Sequence, residues 1–275
     1  MSHKARTLDA CVKWVAALGA TALGLSMAAA APVVSTQTPA CTPGLHTGYV
    51  SGRPYLVYVP EGAQRPAPTI VSFHGRLQKA ASQIDVLQAT ADRHGAILVA
   101  PQARSGKWDF RGSDTRFTGD ILDNLTCDDP TRTYASGMSM GSAMTFVQAC
   151  AQPRRFAAFG GVGFEVFLPK CADPDPAPIV AFHGTADQIV PYAGGLTAST
   201  AAAPPAEATM RDWARHDGCR RYVRTVDQPG VTLRSWDECR SGAQVQFYSL
   251  RDGKHAWPSY AGELMWQFFS QYRLR

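Results

Sequence analysis

The chain has 275 residues, 45% of them apolar and 18% charged, with a formal net charge of +5. That length leaves room for one large domain or two small ones with ample core. The small charge, without a basic cluster, argues against a nucleic-acid partner. Seven cysteines without a C-x-x-C pair argue against a zinc or redox site.

The first 31 residues read as a secretory signal peptide. His3, Lys4, Arg6 and Lys13 make a positive start, Trp14 to Ala31 is apolar and alanine-rich, and small residues stand at Ala29 to Ala31 where a peptidase would cut. Removing it takes away Lys4, Arg6, Lys13 and Asp9 and leaves a slight positive charge. Cys11 leaves with it, so an even set remains: Cys41, Cys127, Cys150, Cys171, Cys219 and Cys239. In an exported chain this implies a disulfide-stapled fold. Many connectivities are open; the preferred one is Cys41–Cys127, Cys150–Cys171 and Cys219–Cys239, the last because both cysteines border a loop-rich excursion.

After a Ser/Thr/Pro-rich arm, the alternation over Arg53 to Pro60 predicts a half-buried strand. Pro68 to Phe73 is a near-continuous apolar run, which predicts a strand buried on both faces. A helix over Gln78 to His94, a strand over Ala96 to Ala100, and a helix over Asp114 to Thr126 capped by Ser113 or Asp114 follow. Thr131 to Ser136 reads as a strand and Ala143 to Ala149 as the helix after it. Strands over Phe156 to Gly163 and Pro178 to Phe182, a helix over Ala206 to His216, a strand over Val245 to Leu250 and a helix over Tyr260 to Tyr272 complete the chain. Strands alternating with helices predict a single α/β domain over 32–275, with a mostly parallel central sheet covered by helices on both faces.

Between one such strand and helix lies Gly137-Met138-Ser139-Met140-Gly141, a G-x-S-x-G nucleophile elbow in the context that gives the motif meaning. A serine hydroxyl is a poor nucleophile near neutral pH and needs a base that is oriented by an acid. In α/β-hydrolases these follow in the order Ser, Asp or Glu, His. Asp187 comes after the strand at Ile179 to Phe182, whereas Asp173 and Asp175 precede it in a proline-rich loop. His255 follows the last strand; His216 sits late in a helix and His94 precedes the serine. The oxyanion donors are the backbone N–H groups of Met140 and of Arg76 in Phe73-His74-Gly75-Arg76. His74 is expected to hold that loop, and His183 to repeat the same strand-end pattern without a role in chemistry. Trp108, Trp257, Phe164 and Phe167 are candidate aromatic platforms for substrate, with Trp108 and Trp257 foremost. No metal or cofactor is needed for this chemistry.

Ser72-Phe-His-Gly-Arg76, Tyr134-Ala-Ser-Gly-Met-Ser-Met-Gly141, His183-Gly-Thr-Ala-Asp-Gln-Ile-Val-Pro-Tyr192, Trp213 through Cys219, Trp236 to Cys239 and His255-Ala-Trp-Pro258 occur in one order over most of the chain. Together they resemble the secreted feruloyl esterase and polyhydroxybutyrate depolymerase-like family of carbohydrate esterase family 1. The resemblance implies Ser139 as nucleophile, Asp187 as acid and His255 as base, and an α/β-hydrolase fold. It also implies a secreted, monomeric esterase acting on hydroxycinnamoyl esters of plant cell-wall polysaccharides, without a membrane partner once the signal is cut. Oligoester or polyhydroxybutyrate cleavage and general acetyl or aryl esterase activity are the rivals. Two departures stand out: Ser139-Met140-Gly141-Ser142 replaces the Ser-Asn-Gly-Gly common among relatives, and Ser113 to Phe117 has one acid where many relatives have two.

Overall fold

A computed structural model of the protein describes residues 36–39, 41–168, 171 and 175–274. The expected signal peptide, 1–31, lies outside the described residues. Val34–Arg275 makes one compact unit.

The strands are β1 (Gly44–Val50), β2 (Arg53–Val59), β3 (Ala67–Phe73), β4 (Ile97–Pro101), β5 (Asp128–Met138), β6 (Ala158–Val162), β7 (Ile179–Gly184), the short β8 (Gly195–Leu196) and β9 (Ala202–Ala203), β10 (Arg221–Gln228), β11 (Val231–Asp237) and β12 (Val245–Leu250). The helices are α1 (Ala81–His94), α2 (Ser113–Asp123), α3 (Met140–Ala151), α4 (Ala206–His216) and α5 (Ala261–Phe269). Ten strands form one sheet in the order β1-β2-β4-β3-β5-β6-β7-β12-β11-β10. The centre from β4 to β12 is parallel, and antiparallel pairs flank it on both edges. The mostly parallel sheet with flanking helices is the expected class.

Every residue of β3, β4, β6 and β7 is buried, which is why those segments read as unbroken apolar runs rather than alternations. One face of the sheet packs against α2, α3 and α4 through Phe117, Met144, Phe146, Met210 and Trp213. The other packs against α1 and α5 through Leu87, Met265, Phe268 and Phe269.

The edges depart from expectation. β1 was not foreseen, and Gln37 in the supposed loose arm exchanges two backbone hydrogen bonds with Tyr49 of β1, at 2.8 and 3.0 Å. The excursion between Cys219 and Cys239 is the hairpin β10–β11, not a loop. β10 is an outer strand whose Tyr222 and Val226 face solvent, so no apolar period marks it. Neither Ser113 nor Asp114 caps α2. Asp114 is buried instead, accepts the Asp109 N–H at 2.6 Å, and pairs with Arg53 at 2.6 Å. The disulfides Cys41–Cys127, Cys150–Cys171 and Cys219–Cys239 are all present.

Strand order reverses at β3: the chain goes from β3 out to β4 on one side, then returns to β5 on the other. Loops leaving the carboxyl ends of two such strands diverge and leave a crevice between them. The loop after β3 carries His74 to Arg76, and β5 ends at the elbow.

Candidate active site

β5 stops at Met138 and α3 starts at Met140, so Ser139 alone makes the turn. It does so at φ 58°, ψ −125°, a conformation that strains any residue with a Cβ and lifts its side chain off the sheet end. The Ser139 N–H donates to the Val162 carbonyl of β6 at 2.8 Å, which ties the strained residue to the neighbouring strand. Gly141 is needed for room rather than for backbone freedom: a Cβ there would lie 1.9 Å from the Phe73 carbonyl oxygen. As first residue of α3, Met140 has an N–H with no intrahelical acceptor, at the positive end of the helix.

The loop after β3 is built around His74, which is fully buried. Its Nε2 accepts the Ala103 N–H at 3.1 Å, so the proton is on Nδ1, which donates to the Gly75 carbonyl at 2.7 Å. Burial pushes the imidazole below its ordinary range, in keeping with a neutral ring that holds the loop. The Leu77 N–H donates to the Gly106 carbonyl at 2.7 Å and the Gly75 N–H to Gln78 Oε1 at 2.9 Å. This places the Arg76 backbone beside the elbow, with Gly75 packed close to the Ser139 side chain.

Asp187 lies in the loop after β7 and His255 in the loop after β12, strands that neighbour each other in the sheet. Asp187 Oδ1 accepts the N–H groups of Ile189 and Val190, both at 2.8 Å. Its Oδ2 accepts His255 Nδ1–H at 2.6 Å. Burial by itself would raise this carboxyl. The bonds from His183, His255 and Val190 outweigh it and hold the group well below the usual carboxylate range. Gly163, at φ 70°, leaves the imidazole space: a Cβ there would come within 3.3 Å of His255 Nδ1. With Nδ1 engaged, Nε2 is the nitrogen left for chemistry.

Ser139, Met140, Arg76 and His255 line one cleft of about 600 Å³. Its walls are mainly apolar, from Phe110, Ala143, Val147, Phe164, Leu168 and Ile189. A second cleft of about 580 Å³, lined by Arg65, Arg93 and Arg132, contains no serine or cysteine. Among the described residues no cluster of histidine, cysteine or carboxylate side chains is suited to a metal ion.

No protein-family model matches the chain. It is 28% identical to feruloyl esterase B of Piromyces equi over 248 residues, which is 81% of this chain but 46% of that protein. It is 25% identical to the probable feruloyl esterase C of Aspergillus oryzae, covering 84% of this chain and 88% of the relative. Among solved structures, an acetyl xylan esterase from Aspergillus awamori superposes with a TM-score of 0.63 at 15% identity, covering 82% of this chain and 99% of that one. The chain is thus similar to feruloyl esterases in sequence and shares the α/β-hydrolase fold of the acetyl xylan esterase. It spans less than half the length of the Piromyces relative.

The two tryptophans expected to serve as substrate platforms do not line the cleft. Trp108 is buried, its indole N–H donates to the His74 carbonyl at 2.7 Å, and its ring meets Phe73 edge-on at 5.2 Å. It buttresses the loop from behind, since an aromatic that finds both an apolar neighbour and a carbonyl gains more from burial than from exposure. Trp257 packs half-buried beside the α1–α5 cluster and does not line the cleft either. Phe164 does line it, whereas Phe167 packs edge-on against Trp213. Of the rival acids, Asp175 pairs with Arg154 at 2.5 Å, and Asp173 lies outside the described residues.

His183, expected only to repeat a strand-end pattern, lies against the candidate acid. His183 Nδ1 lies 2.6 Å from Glu165 Oε2, and Nε2 donates to the Val190 carbonyl at 2.9 Å while standing 3.4 Å from Asp187 Oδ2. Burial would lower this imidazole, but the Glu165 carboxylate, the bond to Asp187 and the Val190 carbonyl push it up to about 10. The only sequence signal was Glu165 itself, a lone charge in the apolar run Gly163 to Leu168.

Proposed function

We propose that this protein is a secreted, monomeric serine carboxylesterase of feruloyl esterase type, cleaving hydroxycinnamoyl esters of plant cell-wall polysaccharides. The observation that carries the reading is the convergence, on one apolar cleft, of a serine on a strained elbow and a histidine held by a buried carboxylate. The feruloyl esterase relatives support the substrate class. So does the cleft, whose volume falls within the range of about 300–1,000 Å³ that encloses drug-sized ligands and exceeds what an acetyl group needs. Three disulfides belong with an oxidising compartment. No helix among the described residues is long and apolar enough to cross a membrane.

Ester cleavage runs in two halves. Ser139 Oγ attacks the acyl carbonyl carbon while His255 Nε2 takes its proton. Charge develops on the carbonyl oxygen, where the N–H groups of Met140 and Arg76 stabilise it; one such donor is worth about 3 kcal/mol. The tetrahedral adduct collapses, His255 returns the proton to the departing alkoxide, and the acyl group remains on Ser139. A water, deprotonated by His255, then attacks the acyl-enzyme, and the acid leaves as Ser139 regains its proton. Asp187 keeps Nδ1 protonated and stabilises the imidazolium.

Ser139→Ala is expected to lower kcat/KM on methyl ferulate by about four orders of magnitude or more. Persistence of the wild-type rate would refute the assignment. A panel of methyl ferulate, p-nitrophenyl acetate and hydroxybutyrate oligomers tests the substrate. Cleavage of the oligomers or the acetate with ferulate untouched would replace the feruloyl reading by the corresponding rival.

A further inference from the structure

Asp187 Oδ2 is shared by two imidazoles, His255 at 2.6 Å and His183 at 3.4 Å. The His183 and Glu165 side chains are 2% and 0% exposed, so their protons cannot be traded freely with water. A carbonyl can only accept, so His183 Nε2 carries a proton toward the Val190 oxygen. A single further proton lies in the 2.6 Å contact between Nδ1 and Glu165 Oε2. If it sits on Nδ1, the buried group beside Asp187 is a cation; if it sits on Glu165, both groups are neutral.

The surroundings favour the first arrangement. Asp187 faces His183 from its own loop and Glu165 faces it from the loop after β6, whereas β12 presents Ser249, an uncharged neighbour. Tyr192 packs its ring edge-on at 5.5 Å, with its hydroxyl turned to Glu207, which in turn is paired with Arg234. Lys254, in the loop after β12, lines a small cavity with His183 but is exposed to solvent, whereas the two carboxylates that contact the imidazole are buried. On the cleft side His255 faces Asp187, and Arg76 lines the cleft.

We propose that Glu165 and His183 act as a positioning pair for the active site, with Glu165 keeping His183 doubly protonated so that the cation fixes Asp187 Oδ2 and moderates its negative charge toward His255. This rests on the assignment of Asp187 and His255 made above. A moderated Asp187 stabilises the imidazolium of His255 less, which favours the base form that takes the Ser139 proton. The pair therefore extends hydrolysis to the acid side.

Glu165→Gln tests this with little change of shape. The amide donates to His183 Nδ1, and a neutral His183 keeps its bond to the Val190 carbonyl. In profiles of kcat/KM on methyl ferulate from pH 4 to 9, the acid limb of Glu165→Gln is expected to move up by about one unit, with about a tenfold loss below it. Glu165→Asp, which retains the carboxylate, is expected to return the limb most of the way to wild type. A Glu165→Gln profile that superimposes on wild type, or an equal shift in both variants, overturns the proposal. Should Glu165→Gln fail to fold, the imidazole 15N signals of His183 in the wild-type protein decide. Two protonated nitrogens at pH 8 support the pair, and one unprotonated nitrogen overturns it. Ser139→Ala separates the two failures: activity in that variant refutes the site assignment, while the 15N signals still report on the pair.

Discussion

Replacing Asp187 by asparagine isolates what the carboxylate does, because the two side chains have nearly the same shape. An amide offers one acceptor where the carboxylate offers two, and the surroundings dictate where it goes. Oδ1 receives two backbone N–H groups at 2.8 Å, while Oδ2 faces His255 Nδ1 at 2.6 Å and His183 Nε2 at 3.4 Å. Turning the NH₂ toward Ile189 and Val190 would leave two backbone N–H donors without an acceptor, together about 2–6 kcal/mol. The amide oxygen therefore stays with the backbone, and the NH₂ points at His255. Faced with a donor, the imidazole must present a lone pair at Nδ1, which puts its proton on Nε2. That tautomer cannot take a proton from Ser139. The expected result is a drop in kcat on methyl ferulate of about 10⁴ at neutral pH, with KM changed less than about threefold. Steady-state kinetics at saturating ferulate measure it, and a thermal melt checks folding. A loss of less than tenfold in a folded variant would show that Asp187 does not set the tautomer and would refute the reasoning.

Stability should carry a signature of His183. A group whose folded pKa is raised contributes stability fully present below its unfolded value and lost as pH rises through the folded one. With His183 held at about 10 against about 6.5 unfolded, that contribution declines across this window. Melting temperatures of wild type are expected to fall from pH 7 to 10 more steeply than those of Glu165→Gln; parallel curves would contradict the buried cation. The disulfides should rank by loop length. Removing Cys41–Cys127, with a separation of 86, is expected to cost about 4–5 kcal/mol in urea unfolding, against about 3 kcal/mol for Cys219–Cys239, with a separation of 20. Equal losses would argue against the chain-entropy account.

The parallel strands were legible because each is buried on both faces, so β3, β4, β6 and β7 stand out as apolar runs without reference to partners. β1 and the β10–β11 hairpin were not: β1 and β10 are the outermost strands and leave Leu45, Tyr222 and Val226 exposed, so their apolar residues do not mark a buried face, and β11 went unread with its hairpin partner. The elbow shows the same division. G-x-S-x-G identified a turn, yet the requirement on Gly141 comes from the Phe73 carbonyl, a residue of a strand far away in the chain.

By itself, the order of Ser139, Asp187 and His255 on strand ends pointed to the reaction class proposed here, because those residue types in that order suit acyl transfer through a serine. Which side chains border the cleft was decided only by packing. Trp108 was a plausible platform in the sequence, and the tertiary structure turned it into a buttress because the His74 carbonyl and Phe73 were there to receive it. His183 repeated a strand-end pattern and nothing more until folding brought Glu165 to one of its nitrogens and Asp187 to the other. A local pattern records what a residue can do; charge and desolvation, which depend on distant neighbours, decide what it does.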